Sequence, residues 1–317
     1  MRPDPQMSKI PVHTFKLPTW ECFDVQFSIV RLDQTHPQIS GNKWYKLQPL
    51  IQHITHQINT PVLSFGGAYS NHLHALAYAG HLYGFSTLGV VRGERPQSLN
   101  PSLLDMQRWG MCLHFVSRTE YAQRNSPDYI AWLKQQLGPF FHLPEGGSSA
   151  EAVHSCGEIW NHIDKYHGAF DYVGCALGTG ATASGLIAYR PVKTAVLVVP
   201  AVKVSALEAE AMLVKHWHAA GLQTQDGYQV FDGELPYAKS SPALAALWQA
   251  LTTCYGIDLD PVYTLRVYHR LSKLLLQGYF KQGSKVALLH TGGLQGVRGC
   301  KTKLREQSAV FNGPLPI

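Results

Sequence analysis

Residues 172–186 read YVGCALGTGATASGL, an apolar run of strand length, a turn built on Gly178, Thr179 and Gly180, and a segment able to form a helix. The run shows no polar alternation, so both faces of the strand need cover, as in a parallel sheet flanked by helices. In the turn, glycines let the backbone approach a ligand and aim successive N–H groups inward. The hydroxyls of Thr179, Thr182 and Ser184 add donors, and the following helix brings its positive end. Such a loop suits a phosphate. It is not a Walker A loop, since no GK[ST] follows, and not a GxGxxG fingerprint, since 178, 180 and 183 are Gly, Gly and Ala. A phosphorylated ligand smaller than a nucleotide is therefore expected, with a plain tight strand-to-helix connection as the competing reading.

The same alternation extends in both directions. Strand-like runs PVLSF (61–65), TLGVV (87–91), CLHFVS (112–117), TAVLVVP (194–200), YQVF (228–231) and KVALLHTGG (285–293) each precede a turn and a helical pattern. Helices are expected at Asn71–Tyr83, Ala183–Tyr189, Ala206–Ala220 and Leu265–Gln277. The fold class is thus α/β, with parallel-rich sheets between helical layers, and ligands belong at the carboxyl ends of the strands. Two further loops there are rich in Gly and hydroxyl groups, SFGGAYSNH (64–72) and LHTGGLQG (289–296).

At 317 residues and 45% hydrophobic content, the chain can build two cores. Charged residues are only 15%, and no repeat or low-complexity run occurs, which excludes a disordered or solenoid protein. The formal charge of +6 is scattered, without a basic block or stripe, so a small anionic ligand explains it and a nucleic-acid partner is not expected. The N-terminal MRPDPQMSKIPVH lacks a signal-peptide pattern, and no apolar run reaches membrane length, so a cytoplasmic protein without membrane contact is expected. Met1 and Met7 are equally good starts. Six cysteines, at 22, 112, 156, 175, 254 and 300, have no short spacing and are expected to be reduced and mostly buried. NHLH (71–74) and KHWH (215–218) lack metal-site spacing, and no metal is expected.

One more stretch needs an explanation. SGNKWYKLQPL (40–50) places Lys43 and Lys46 three residues apart, on one face of a helix that Ser40 or Asn42 could cap. Surface lysines are the bland reading. Taken in order, SGNKWYKLQPL, SFGGAYSNH, PEGGSS (144–149), ALGTGATASGL, DPVYT (260–264) and HTGG (290–293) resemble the pyridoxal-phosphate enzymes of the 1-aminocyclopropane-1-carboxylate deaminase and D-cysteine desulfhydrase family. The resemblance spans about Leu17 to Gly293.

The resemblance implies a two-domain tryptophan-synthase-β-like fold, of fold type II, and a homodimer. A large cofactor-binding domain is expected from 1–46 plus 155–317, a small inserted one from 47–154, and the active site in the cleft between them. By the same resemblance, Lys43 is the Schiff-base lysine and Lys46 a phosphate contact. Gly178, Thr179, Gly180, Ala181 and Thr182 form the phosphate cradle, Asn71 meets the cofactor's ring hydroxyl, and Thr291 faces the pyridine nitrogen. Ser70, Asn71 and His72 would grip the substrate carboxylate, a role that a helix N-terminus suits on physical grounds. Ser70, Tyr263 and, by a looser match, Tyr237 are catalytic candidates beside Lys43; as plain structure, Ser70 is an N-cap and the tyrosines are packing.

Deaminases of the cyclopropane substrate resemble one another in having Glu where this chain has Thr264 and an apolar residue where it has Thr291. A threonine can donate to a pyridine nitrogen but cannot protonate it, which makes the ring a milder electron sink. The expected activity is therefore β-elimination from a small amino acid such as D-cysteine, giving pyruvate, ammonia and sulfide. The alternatives are a 1-aminocyclopropane-1-carboxylate deaminase, a serine/threonine-type dehydratase, or a non-catalytic cofactor-binding homologue. Tyr45, Leu73 and His74 stand where the family commonly has other residues, and these differences are expected to line or adjoin the pocket.

Overall fold

The computed structural model describes residues 9–57, 60–163 and 169–315; residues 1–8, on which the reading of the N-terminal stretch and its start rests, lie outside the described residues. Among the described residues, ten strands form two sheets. β1 (Val12–Phe15), β2 (Gln26–Val30), β7 (Tyr172–Leu177), β8 (Ala195–Pro200), β9 (Tyr228–Val230) and β10 (Lys285–Leu289) build a six-stranded sheet in the order β1-β2-β10-β7-β8-β9. β3 (Val62–Gly67), β4 (Thr87–Arg92), β5 (Cys112–Val116) and β6 (Phe141–His142) build a four-stranded sheet in the order β5-β4-β3-β6. Every pairing is parallel except β1 with β2.

The large sheet shows why its central strands lack polar alternation. Val173, Cys175, Leu177, Val196, Val198, Ala287 and Leu289 pack into one core, while Ala176, Leu197, Val199, Val286 and Leu288 pack into another on the opposite face. Successive side chains point to opposite faces, and both faces are buried. Helix Ala181–Ala188 covers the first face through Ala183, Leu186 and Ile187. Helix Thr264–Leu276 covers the second through Leu265, Val267 and Leu271. Each fully buried Leu, Ile or Val contributes roughly 1.5–3 kcal/mol.

Several expectations need correction. β1, β2 and β6 were absent from the sequence reading: β1 and β2 form an antiparallel pair outside the strand-turn-helix pattern, and β6 has only two residues. Helix Ala181–Ala188 starts two residues earlier than expected, because Gly180, at φ +102°, completes the turn by itself. Ser40 and Asn42 do not cap the lysine helix, Asn42–Gln57. Ser40 Oγ donates to Asp33 O and Asn42 Nδ2 to Thr182 Oγ1, so both tie the helix start to other segments. All six cysteines are free, but only Cys156 and Cys175 are buried; Cys22, Cys112 and Cys254 are exposed. No described helix is long and apolar enough to cross a membrane.

Candidate active site

A cavity of about 330 Å³ opens where the carboxyl ends of β3 and β4 face those of β7 and β10. That volume lies at the lower end of small-molecule sites. Parallel strands deliver their loops there, which is why motifs from distant parts of the chain meet.

The turn after β7 forms one wall. Gly178, Thr179, Gly180 and Thr182 all line the cavity. Ser184 N–H is the first to close onto Gly180 O, which leaves the N–H groups of the preceding turn free for an anion. Ala181 does not line the cavity; its methyl packs with Ala152 and Val153, so it has only its backbone N–H to offer. His216 braces the loop from behind, with Nε2 2.6 Å from Thr179 O. This gives the KHWH stretch a structural role that the sequence did not disclose.

Two lysines on one helical face enter the cavity with different surroundings. Lys46 Nζ is buried and donates to Gly146 O (3.0 Å), Ser148 Oγ (3.0 Å) and Thr179 Oγ1 (3.1 Å), so it joins PEGGSS to the cradle. Burial pushes its pKa down to about 8. Lys43 Nζ has no hydrogen-bond or carboxylate partner among the described residues, and burial, then the charge of Lys46, hold its pKa well below the ordinary lysine value. A desolvated, unpaired amine is a nucleophile.

The depressed Lys46 pKa sets a pH dependence. Between about 8 and the ordinary 10.5, the unfolded chain holds a proton on Lys46 that the folded, ligand-free protein has released, so folding gains stability as pH rises through that window. Comparison of wild type with Lys46→Met by urea unfolding between pH 7.5 and 10 should show the wild type gaining relative to the variant. Bound phosphate should reverse the trend, because it favours the protonated amine; parallel curves without ligand would contradict the assignment.

Beyond β3, Ser70 caps helix Asn71–Tyr83 by accepting from Leu73 N, and still lines the cavity. Asn71 also lines it, with Oδ1 accepting from Gln295 Nε2 at 2.6 Å. The His72 side chain is buried against Ser64 Oγ (2.8 Å), and burial together with the two lysines keeps it neutral. His72 lines the cavity, but with its imidazole engaged by Ser64 the group it has to offer an anion is its backbone N–H at the helix start.

Tyr263 and Tyr237 face the cavity from the other side, and Tyr263 Oη donates to Tyr237 Oη at 3.4 Å. Burial raises both pKa values, so both phenols stay protonated. Their placement depends on two groups not assigned from sequence. Asp260, buried and with its pKa raised to about 7 by that burial, accepts from Tyr263 N (2.6 Å) and Val262 N (3.0 Å). Arg266 donates to the carbonyls of Ala201, Leu235, Pro236 and Lys239, holding the loop that carries Tyr237. Thr291 lines the cavity beside the lysine helix, and its carbonyl accepts from Asn42 N.

Arg92, Arg124 and Glu145 also line the cavity and were missed. None sits in a glycine-rich loop except Glu145, within PEGGSS, which is the one local signal that could have found it. Conversely, Tyr45, Leu73 and His74 do not line the cavity. Tyr45 is buried with Oη 3.1 Å from His162 Nδ1, Leu73 is in the core, and His74 pairs with Asp105 at 3.3 Å. Tyr45, one position from Lys46, and Leu73, two from Asn71, lie on other helix faces, and His74, three positions from Asn71, is held away from the cavity by Asp105. The family departures at these positions therefore do not touch the pocket.

The family described as pyridoxal-phosphate dependent enzyme matches residues 16–292. The chain belongs to this family. Among relatives of this pyridoxal-phosphate enzyme, a Thermotoga maritima protein with a provisional 1-aminocyclopropane-1-carboxylate deaminase name is 28% identical over 94% of this chain and 97% of its own. An Arabidopsis thaliana mitochondrial protein, a bifunctional D-cysteine desulfhydrase/1-aminocyclopropane-1-carboxylate deaminase, is 25% identical over 90% of this chain and 77% of its own. A solved structure described as an ACC deaminase homologue superposes with a TM-score of 0.80 at 22% identity, covering 94% of each chain, which shows a shared fold. The two-sheet arrangement is thus the fold type II architecture of pyridoxal-phosphate enzymes.

The residues present fit that cofactor. The cradle has open N–H donors, and a Cβ on Gly178 would stand 3.1 Å from the Tyr263 ring and narrow the wall. The unpaired amine of Lys43, the buried Lys46 beside the cradle and Thr291 line the same cavity.

Proposed function

We propose that this enzyme is a lyase that removes a β-substituent and ammonia from a small amino acid, in the manner of a D-cysteine desulfhydrase. Bound pyridoxal phosphate supplies an aldehyde that condenses with amines and a ring that accepts electron density from the α-carbon. Lys43 would be its covalent tether, and the Lys43 amine would serve as the base that takes the α-proton. Lys46 and the Gly178–Thr182 turn hold the phosphate, and Asn71, oriented by Gln295, meets the ring hydroxyl. The N–H groups at Ser70–His72 hold the substrate carboxylate. Tyr263 and Tyr237, protonated and adjacent, can give a proton to the leaving group.

The observation that carries the choice of elimination is Thr291, a neutral hydroxyl donor on the cavity wall where an acid would strengthen the electron sink. Thr264 supports it: the residue is buried and donates to Asp260 O, outside the cavity, so the chain has no Glu at that position to aid ring opening. A second reading, 1-aminocyclopropane-1-carboxylate deamination, is favoured by the names of the relatives. We also assign the small domain to 47–154, the large one to 1–46 plus 155–317, and the working form to a homodimer.

Ammonia and sulfide release should be assayed against D- and L-cysteine, β-chloroalanine and the cyclopropane amino acid. Pyruvate with sulfide from one cysteine enantiomer is the expected result. 2-Oxobutanoate from the cyclopropane substrate with no sulfide from either cysteine would replace the first reading by the second.

A further inference from the structure

β4 and β3 pair in register from Val62 with Thr87 to Gly67 with Arg92, so Arg92 ends its strand beside the GGAYSN loop, at the mouth of the cavity. Its guanidinium lies over two tyrosine rings, 5.6 Å from the centroid of Tyr121 and 5.9 Å from that of Tyr237. Cation–π contact uses the faces of a guanidinium and leaves its in-plane N–H fork available. Arg92 has no carboxylate partner among the described residues.

Glu145 is engaged elsewhere: one oxygen accepts from Tyr121 Oη at 2.6 Å and the other from Arg124 Nε, and it makes no salt bridge with Arg92. Arg124 and Glu145 therefore neutralise each other, and Lys43, Lys46 and Arg92 remain as basic side chains that line the cavity without a salt bridge among the described residues. The cofactor accounts for both lysines, one as tether and one at the phosphate. The substrate α-carboxylate has its own turn at Ser70. One cation is left over, held between aromatic rings on the side where the tyrosines stand.

We propose that Arg92 recognises an anionic group on the substrate side chain, so that the preferred substrate is a small α-amino acid with an acidic oxyanion on its β-substituent. This deepens the lyase reading and rests on it for the orientation of the substrate. A bidentate guanidinium contact favours a carboxylate, sulfonate or phosphate over an isosteric neutral group, because the neutral group leaves the N–H fork imperfectly paired. Arg92 is thus a specificity residue, while the covalent chemistry stays with Lys43.

The test uses an isosteric pair and does not need turnover. The cofactor-loaded full chain is titrated with aspartate and with asparagine, each as both enantiomers, and binding is followed by the visible absorbance of the cofactor. Wild type should bind one enantiomer of aspartate about 10- to 100-fold more tightly than the matching asparagine. Arg92→Gln should erase that preference, and Arg92→Lys, which keeps charge but loses the fork, should retain a part of it. Equal binding of aspartate and asparagine by wild type would overturn the proposal, as would an equal loss for both ligands in Arg92→Gln. The resting visible spectrum of each variant checks that the site is intact. If the amino-acid panel yields no oxo acid from any substrate, the lyase reading fails, and this titration still decides the role of Arg92.

Discussion

Lys43→Ala is expected to abolish turnover, by a factor on the order of 10³ or more, while the protein stays folded. The chemistry loses both its covalent tether and its base in one substitution. The fold loses little, because Lys43 Nζ makes no hydrogen bond or ion pair among the described residues and its charge is disfavoured by burial beside Lys46. Removing a desolvated amine takes away a cost of folding. Thermal unfolding should therefore be unchanged or slightly raised, which separates this variant from one that is inactive because it misfolds. Borohydride reduction of the cofactor-loaded wild type, followed by peptide mapping, should place the label on Lys43. Label on another lysine, or full retention of reducible chromophore in Lys43→Ala, would refute the assignment. Lys46→Ala should behave differently: it disconnects Gly146, Ser148 and Thr179, so cofactor should be lost more readily, with turnover recovered at high cofactor concentration.

How much of this could be read from the chain depended on how local each signal was. The YVGCAL strand and its glycine turn are contiguous in sequence, and the parallel fold, the cradle and the helix that follows were legible there. Lys43 and Lys46 lie on one helical face, so their common destination was legible too. Which lysine would be free and which engaged was not, since Lys46 is fixed by partners 100, 102 and 133 residues away. Gln295, which holds Asn71 across 224 residues, has no local pattern at all. Arg92 escaped for a related reason. It ends an ordinary strand, and only the register with β3 and the approach of Tyr121 and Tyr237 turn it into a pocket residue. Tyr45 erred in the opposite direction: adjacency in sequence to Lys46 suggested the pocket, but one step along a helix rotates a side chain by about 100° and buries it elsewhere.

Gly41→Ala should be the most damaging single-methyl change near the site. Gly41 precedes the lysine helix at φ +70°, a conformation in which an alanine pays roughly 1–2 kcal/mol. Its Cβ would also lie 2.0 Å from Thr291 O and 2.6 Å from Gly292 N, and both are backbone atoms of the HTGG loop that cannot swing aside as a side chain could. Asn42 N already donates to Thr291 O across this contact, so the helix start and the loop cannot separate without losing that bond. Overpacking of this kind adds about 1–3 kcal/mol. The expected outcome is a loss of about 2–5 kcal/mol in urea unfolding together with weaker cofactor retention, because the displaced segments carry Lys43 and Thr291. Gly84→Ala separates the two causes. Gly84 has φ +80° at the end of helix Asn71–Tyr83, but nothing stands within 4 Å of its would-be Cβ, so it bears the backbone strain alone. Its loss should be about 1 kcal/mol with cofactor retention unchanged. Equal effects of the two substitutions would mean that the close approach of Gly41 to the HTGG loop does not hold the lysine in place.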